Sequence, residues 1–287
     1  MTVLVTGGKG LLAHAIRELS PPGLRLVFWD IEEFDLTRAD VLEARLEELR
    51  PAWVVNTAAY NLVDRCEQER ELSWAVNALG PETLARLCVH FGCRLIHFSS
   101  DYVFDGAKGS PYVEADATNP LNHYGKGKLH GEQAVLRASP ENIVFRTSWM
   151  FGLHPSQAKS YVHSVLAQAR AGKRIMAVTD QAAAPTYAPD LARCVTELLA
   201  RGASGLFHAV NSEGLSRYEW TLEILELARK AGVLQGRVEV EPVLTSFFGS
   251  TMRRPPSTVL CNQKVNAALK EPLPSWKVGL AEMLRRM

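Results

Sequence analysis

Apolar and polar positions in the first half of the chain fall into two alternating rhythms. Short runs rich in β-branched and aromatic residues read as buried strands. They are "TVLVTG" (2–7), "LRLVFWD" (24–30), "AWVVNTAA" (52–59), "RLIHF" (94–98) and "NIVFRTSW" (142–149). Between them, apolar residues recur at helical spacing and predict helices over 11–19, 38–49, 69–91 and 124–139. Strand–helix alternation of this kind buries a parallel sheet between two helical layers, and right-handed crossovers wind it outward in both directions. The predicted fold class is α/β, a doubly wound parallel sheet of Rossmann type.

Beyond residue 150 the rhythm loosens. Helices are predicted near 156–171, 189–201, 216–232 and 275–287, with short strands at 174–178, 205–211 and 237–243. Residues 1–150 then form a dinucleotide-binding domain. Residues 151–287 form a smaller, mainly substrate-binding lobe, partly interleaved with it, that closes a cleft over the strand ends.

Composition narrows the field. With 287 residues, 47% of them hydrophobic, the chain can bury a large core. A net charge of +1 offers no field for a polyanion, so nucleic acid is not expected as a partner. Five scattered cysteines show no metal-ligand spacing, which predicts reduced thiols and no structural zinc. No apolar run has the length of a membrane span, and the opening "TVLVTGG" reads as a core strand, so a signal peptide is not expected. The expectation is a soluble, cytoplasmic protein.

Candidate chemistry begins at "VTGGKGLLAHAI", where Gly7, Gly10 and Ala13 stand in a GxxGxxA frame between strand and helix. Glycine permits a tight turn and lets backbone amides approach a pyrophosphate at the helix N-terminus. The next strand ends in Asp30, an acid that can bind ribose hydroxyls and repels a 2′-phosphate. Lys9 could accept that phosphate, so NADH and NADPH both stay open. Asp35 suits either a helix cap or the adenosine end of a cofactor.

Tyr124 and Lys128 are four apart at the start of a predicted helix and share one face, with Lys126 pointing away. An adjacent ammonium should lower the phenol's pKa and suit it to proton transfer. The strand ending at Phe98 would deliver Ser100 to the same cleft, where its hydroxyl can hydrogen-bond a carbonyl being reduced. His97 reads as a packed core histidine.

Together, "VTGGKGLLA", "VVNTAAYNLVDRCE", "FSSDYVFDG", "PLNHYGKGKLHGE", "FRTSWMFG", "DQAAAPTYA" and "RRPPSTVL" resemble the dTDP-4-dehydrorhamnose reductase family of extended short-chain dehydrogenase/reductases. The resemblance implies reduction, by NADPH or NADH, of the 4-keto group of dTDP-6-deoxy-L-lyxo-4-hexulose to dTDP-L-rhamnose. It implies Tyr124 as proton donor, Lys128 on the nicotinamide ribose, and Ser100 on the carbonyl. Asp101 and Trp149 would contact the substrate, and Arg254 its diphosphate. Gly10, Leu11 and Leu12 would cradle the pyrophosphate. Asp30, Asp35 and Leu36 would line the adenosine end, and Ala59, Tyr60 and Asn61 the cofactor's middle. A homodimer is consistent with the family.

The chain departs from the family pattern in several places. "AAAPT" lacks the usual glycine or serine, Ser257-Thr258 replaces an Asn-Ser, and Arg217 stands where an aromatic is common. Some members hold a metal through a glutamate after the glycine turn, and here that position is Ala15, so no metal is expected. A non-catalytic relative, the regulatory β subunit of methionine adenosyltransferase, shares the fold and many of these motifs. It is the non-enzymatic alternative, and a reductase of another nucleotide-linked keto sugar is the enzymatic one.

Overall fold

The computed structural model describes residues 1–19, 22–156, 160–249 and 252–287. The first half runs β1 (Thr2–Thr6), α1 (Leu11–Leu19), β2 (Arg25–Trp29), α2 (Ala39–Leu49), β3 (Trp53–Asn56), α3 (Arg70–Trp74), α4 (Gly80–His90), β4 (Arg94–Ser100), α5 (His123–Ala138) and β5 (Ile143–Thr147). The second half runs β6 (Met150–Phe151), α6 (Tyr161–Arg170), β7 (Ile175–Val178), β8 (Ala182–Ala183), β9 (Thr186–Tyr187), α7 (Ala188–Ala200), β10 (Gly205–His208), β11 (Leu215–Ser216), α8 (Arg217–Lys230), β12 (Val240–Val243), α9 (Gln263–Ala268) and α10 (Trp276–Arg285). Among the described residues no helix is long and apolar enough to cross a membrane.

Six strands pair in parallel in the order β10-β5-β4-β3-β1-β2. The chain steps outward from β1 to β2 and then returns to the other side of β1 with β3. That reversal opens a crevice beyond the carboxyl ends of β1 and β3, where ligands of doubly wound sheets bind.

Strand periodicity assigns the two faces. Val3, Val5, Val55, Ile96, Phe98 and Phe145 point to the layer of α1 and α7, among Leu12, Ile16, Leu191 and Val195. Their neighbours Leu4, Val54, Leu95 and Val144 point to the other layer, among Leu42, Leu46, Leu84 and Leu87. Side chains alternate across a strand, so burial on both faces requires near-continuous apolar runs. A separate core in the second half gathers Phe151, Leu166, Trp220, Ile224, Trp276 and Leu280. The C-terminal half also supplies β10 to the main sheet, against β5.

The expected helix over 69–91 is interrupted by a π turn at Ala75–Leu79. Pro81 has no N–H to give the Asn77 carbonyl, which an uninterrupted α-helix would require. The buried Asn77 side chain instead accepts from Tyr60 N–H and donates to Tyr60 O, both at 3.0 Å. The irregular turn thereby holds the loop after β3, which carries Asn61. Of the expected helix over 156–171, residues 157–159 lie outside the described residues, and α6 begins at Tyr161. Helix α9 was not anticipated from the pattern.

Candidate active site

Three loops meet beyond the strand ends: the glycine turn after β1, the segment after β3, and the 3-10 turn Asp101–Val103 after β4. At Gly7 the backbone takes φ +63°, and a Cβ there would lie 2.9 Å from the Ala58 backbone. Only glycine lets the turn sit this close to the β3 loop. Gly10 N–H closes the turn on Gly7 O at 2.8 Å, and α1 begins at Leu11. Its first amides lack partners within the helix.

Asn122 caps α5, its side chain accepting from Gly125 N–H at 2.8 Å. Gly125 lies so close to the β4 turn that a Cβ would stand 2.2 Å from Tyr102 O. The close approach sets Tyr124 and Lys128 against the end of β4, while Lys126 is exposed. His97 is wholly buried, with Asn56 donating to its Nδ1 at 3.1 Å.

A cavity of about 420 Å³ contains most of the residues picked out in the sequence. Gly10, Leu11, Leu12, Ala59 and Asn61 line one part, and Ser100, Asp101, Tyr124, Lys128, Trp149 and Arg254 line the rest. Other expected contacts have different surroundings. Asp30 accepts from the amides of Lys9 (2.6 Å) and Ile31 (2.9 Å), and so braces the glycine turn. Asp35 accepts from Thr37 N–H at 2.8 Å. Leu36 is buried among the core leucines, and the Tyr60 hydroxyl donates to Glu69.

Electrostatics divides the cavity residues by role. Burial pushes the Tyr124 phenol above its ordinary value, opposed by a hydrogen bond with Ser100. Contrary to the lowering expected from Lys128, burial dominates, and Tyr124 stays protonated at neutral pH. Its hydroxyl donates to Asn61 Oδ1 at 3.5 Å. Burial brings the Lys128 ammonium down to about 8, against the pull of Glu132. Asp101 is raised to about 6 by burial, although Thr258 Oγ1 and Ser100 Oγ both donate to it, the latter at 2.9 Å.

Trp149 adopts φ +39°, a strained conformation for a bulky residue. Its ring stacks on Trp220 with centroids 5.4 Å apart. Arg217 lies over it, the guanidinium carbon 3.6 Å from the ring centroid. A second cavity, of about 590 Å³, is lined by Asp64, Gln68, Tyr161, Gln181, Thr245 and Phe248 among others. Arg217 and Arg254 line both cavities. Arg254 Nη2 donates to both carboxylate oxygens of Asp64 at 2.7 Å, and its Nη1 donates to the Tyr102 hydroxyl at 3.2 Å. Neither Arg217 nor Thr258 stands out in the sequence as a site residue. Both were visible only as departures from a family pattern.

The contents of the first cavity fit a nicotinamide dinucleotide. It pairs a glycine cradle with a buried ammonium that has no hydrogen bond among the described residues, as a partner for ribose hydroxyls requires.

The family model for the RmlD substrate binding domain matches residues 1–287. The dTDP-4-dehydrorhamnose reductase of Salmonella typhimurium is 32% identical over 297 aligned positions, covering 100% of this chain and 98% of that protein. A crystal structure of the dTDP-4-dehydrorhamnose reductase of Clostridium acetobutylicum superposes with a TM-score of 0.92 at 31% identity, over 100% of both chains. That of Bacillus anthracis, in complex with NADP, gives 0.92 at 28% identity, covering 100% of this chain and 99% of its own.

Proposed function

The chain belongs to the RmlD substrate binding domain family, and from that premise we propose that it reduces the 4-keto group of dTDP-6-deoxy-L-lyxo-4-hexulose to dTDP-L-rhamnose, using NADPH or NADH. The reading rests above all on one observation: Ser100, Tyr124 and Lys128 line one cavity with the glycine turn. Residues 1–150 would hold chiefly the cofactor and residues 151–287 chiefly the sugar nucleotide.

A bound reduced nicotinamide supplies the hydride that reaches C4. The chain supplies the rest. Ser100 turns its hydroxyl from Asp101 to the carbonyl oxygen and fixes its direction. Tyr124, held protonated by burial, gives its phenolic proton to that oxygen, so the ketone becomes an alcohol. Lys128 holds the ribose hydroxyls and, while charged, offsets the phenolate left on Tyr124. Asp101, anchored by Thr258, orients a substrate hydroxyl.

The test is oxidation of NADPH and of NADH, measured separately, with the 4-keto dTDP sugar. Tyr124→Phe should cut turnover at least about a hundredfold while cofactor binding is kept. An active Tyr124→Phe variant would place the proton donor elsewhere. No oxidation by the unaltered chain, alongside tight capture of a partner protein, would favour the regulatory reading.

A further inference from the structure

Two guanidinium groups stand where the catalytic cavity meets the outer one, and they differ in a way that matters. Arg254 already faces a counter-charge, the Asp64 carboxylate. Arg217 has neither an ion pair nor a side-chain hydrogen bond among the described residues. The acid whose charge it feels, Asp101, is engaged by Ser100 and Thr258.

Arg217 is also firmly placed. It is the first residue of α8, its N–H donates to Gln181 O at 3.0 Å, and the capping box of Ser216 and Glu219 fixes the helix start beside it. Its guanidinium carbon lies 3.6 Å from the Trp149 centroid, 4.5 Å from that of Tyr161 and 5.2 Å from that of Trp220. Aromatic faces attract a cation and hold its plane but leave its N–H donors open. A charged fork with open donors at a junction of cavities suits an anion.

We propose that Arg217 is a specificity-determining residue that grips the diphosphate of the nucleotide sugar at the junction of the two cavities. This rests on the reductase reading, which puts the keto sugar beside Ser100 and Tyr124. With the sugar there, the nucleoside extends into the outer cavity, and the linking phosphates must pass between Arg217 and Arg254. Arg254 can turn to them only by sharing its charge with Asp64. Arg217 gives up no ion pair, so it should carry the larger part of the preference for a diphosphate over a monophosphate or a neutral nucleoside.

Calorimetric titration of the full chain with dTDP, dTMP and thymidine, for the unaltered protein, Arg217→Gln and Arg217→Lys, decides this. Arg217→Gln should weaken dTDP by about ten- to a hundredfold, dTMP less, and thymidine little, while Arg217→Lys recovers part of the loss. NADPH titration of each variant checks that the fold is kept. In turnover, the rise in KM should exceed any fall in kcat. The proposal is overturned by unchanged dTDP affinity, by equal losses for dTDP and thymidine, or by no dTDP binding in the unaltered chain. If dTDP binds as expected but NADPH is not oxidised with the 4-keto sugar, the reductase reading fails and the assignment of Arg217 as a diphosphate ligand stands.

Discussion

Lys128→Met should stabilise the protein in the absence of cofactor and ruin it as an enzyme. Lys128 is only 3% exposed, and burial lowers its pKa from 10.5 to about 8. At about 1.4 kcal/mol per pH unit, this sets about 3 kcal/mol against the charged lysine in the folded chain. An unfolded lysine keeps its proton to about pH 10.4. Between roughly pH 8 and 10.5 the unfolded chain therefore binds a proton that the folded chain does not, and stability rises with pH. Below about pH 8 both states are protonated and the full penalty applies. Methionine is of similar length and removes the charge without breaking a hydrogen bond. Allowing for repacking, a gain of about 2 kcal/mol at neutral pH corresponds to a rise in Tm of about 5 °C. Thermal denaturation of both proteins at about pH 7, 8.5 and 10 tests this, and the gap should close towards the alkaline end. NADPH should raise the Tm of the unaltered protein more than that of the variant. A variant less stable at neutral pH, or a gap independent of pH, would refute the reasoning.

Two further outcomes follow from the same geometry. Gly125→Ala puts a methyl group 2.2 Å from the Tyr102 carbonyl. Although alanine favours helix by about 1 kcal/mol, α5 must shift, with a net loss of about 1–3 kcal/mol. Turnover should fall with it, and a urea midpoint and kcat that both stay unchanged would mean that α5 does not pack so closely on the β4 turn. Thr258→Val removes a hydroxyl that donates to Asp101 and holds its pKa down. With ionised Asp101 as the working form, the acid limb of kcat/KM should move from near 6 to higher pH, and a limb that stays in place would count against that role.

How far the sequence could be read depended on the range of the interactions involved. The apolar runs "TVLVT" and "WVVN" and their alternation with helical segments were enough for a parallel sheet covered on both faces, because a strand's burial shows in its own residues. The four-residue step from Tyr124 to Lys128 was equally local, and both side chains line one cavity. The π turn was hidden because it answers to Pro81, the packing of α5 and the loop at Tyr60 at once. The raised Tyr124 phenol is not legible in the sequence, because the neighbouring charge is visible there and the depth of burial is not. Thr258 reaches Asp101 across 157 positions, and no local pattern predicts such a contact. Arg217 was readable only as a charged residue in a place where an aromatic is common. Its surroundings give that oddity a physical meaning: Trp149, Tyr161 and Trp220 still provide the aromatic wall, so the substitution adds a cation to an apolar surface. A cation kept on such a surface without an ion pair among the described residues costs stability, and a site that receives an anionic substrate is where that cost is offset.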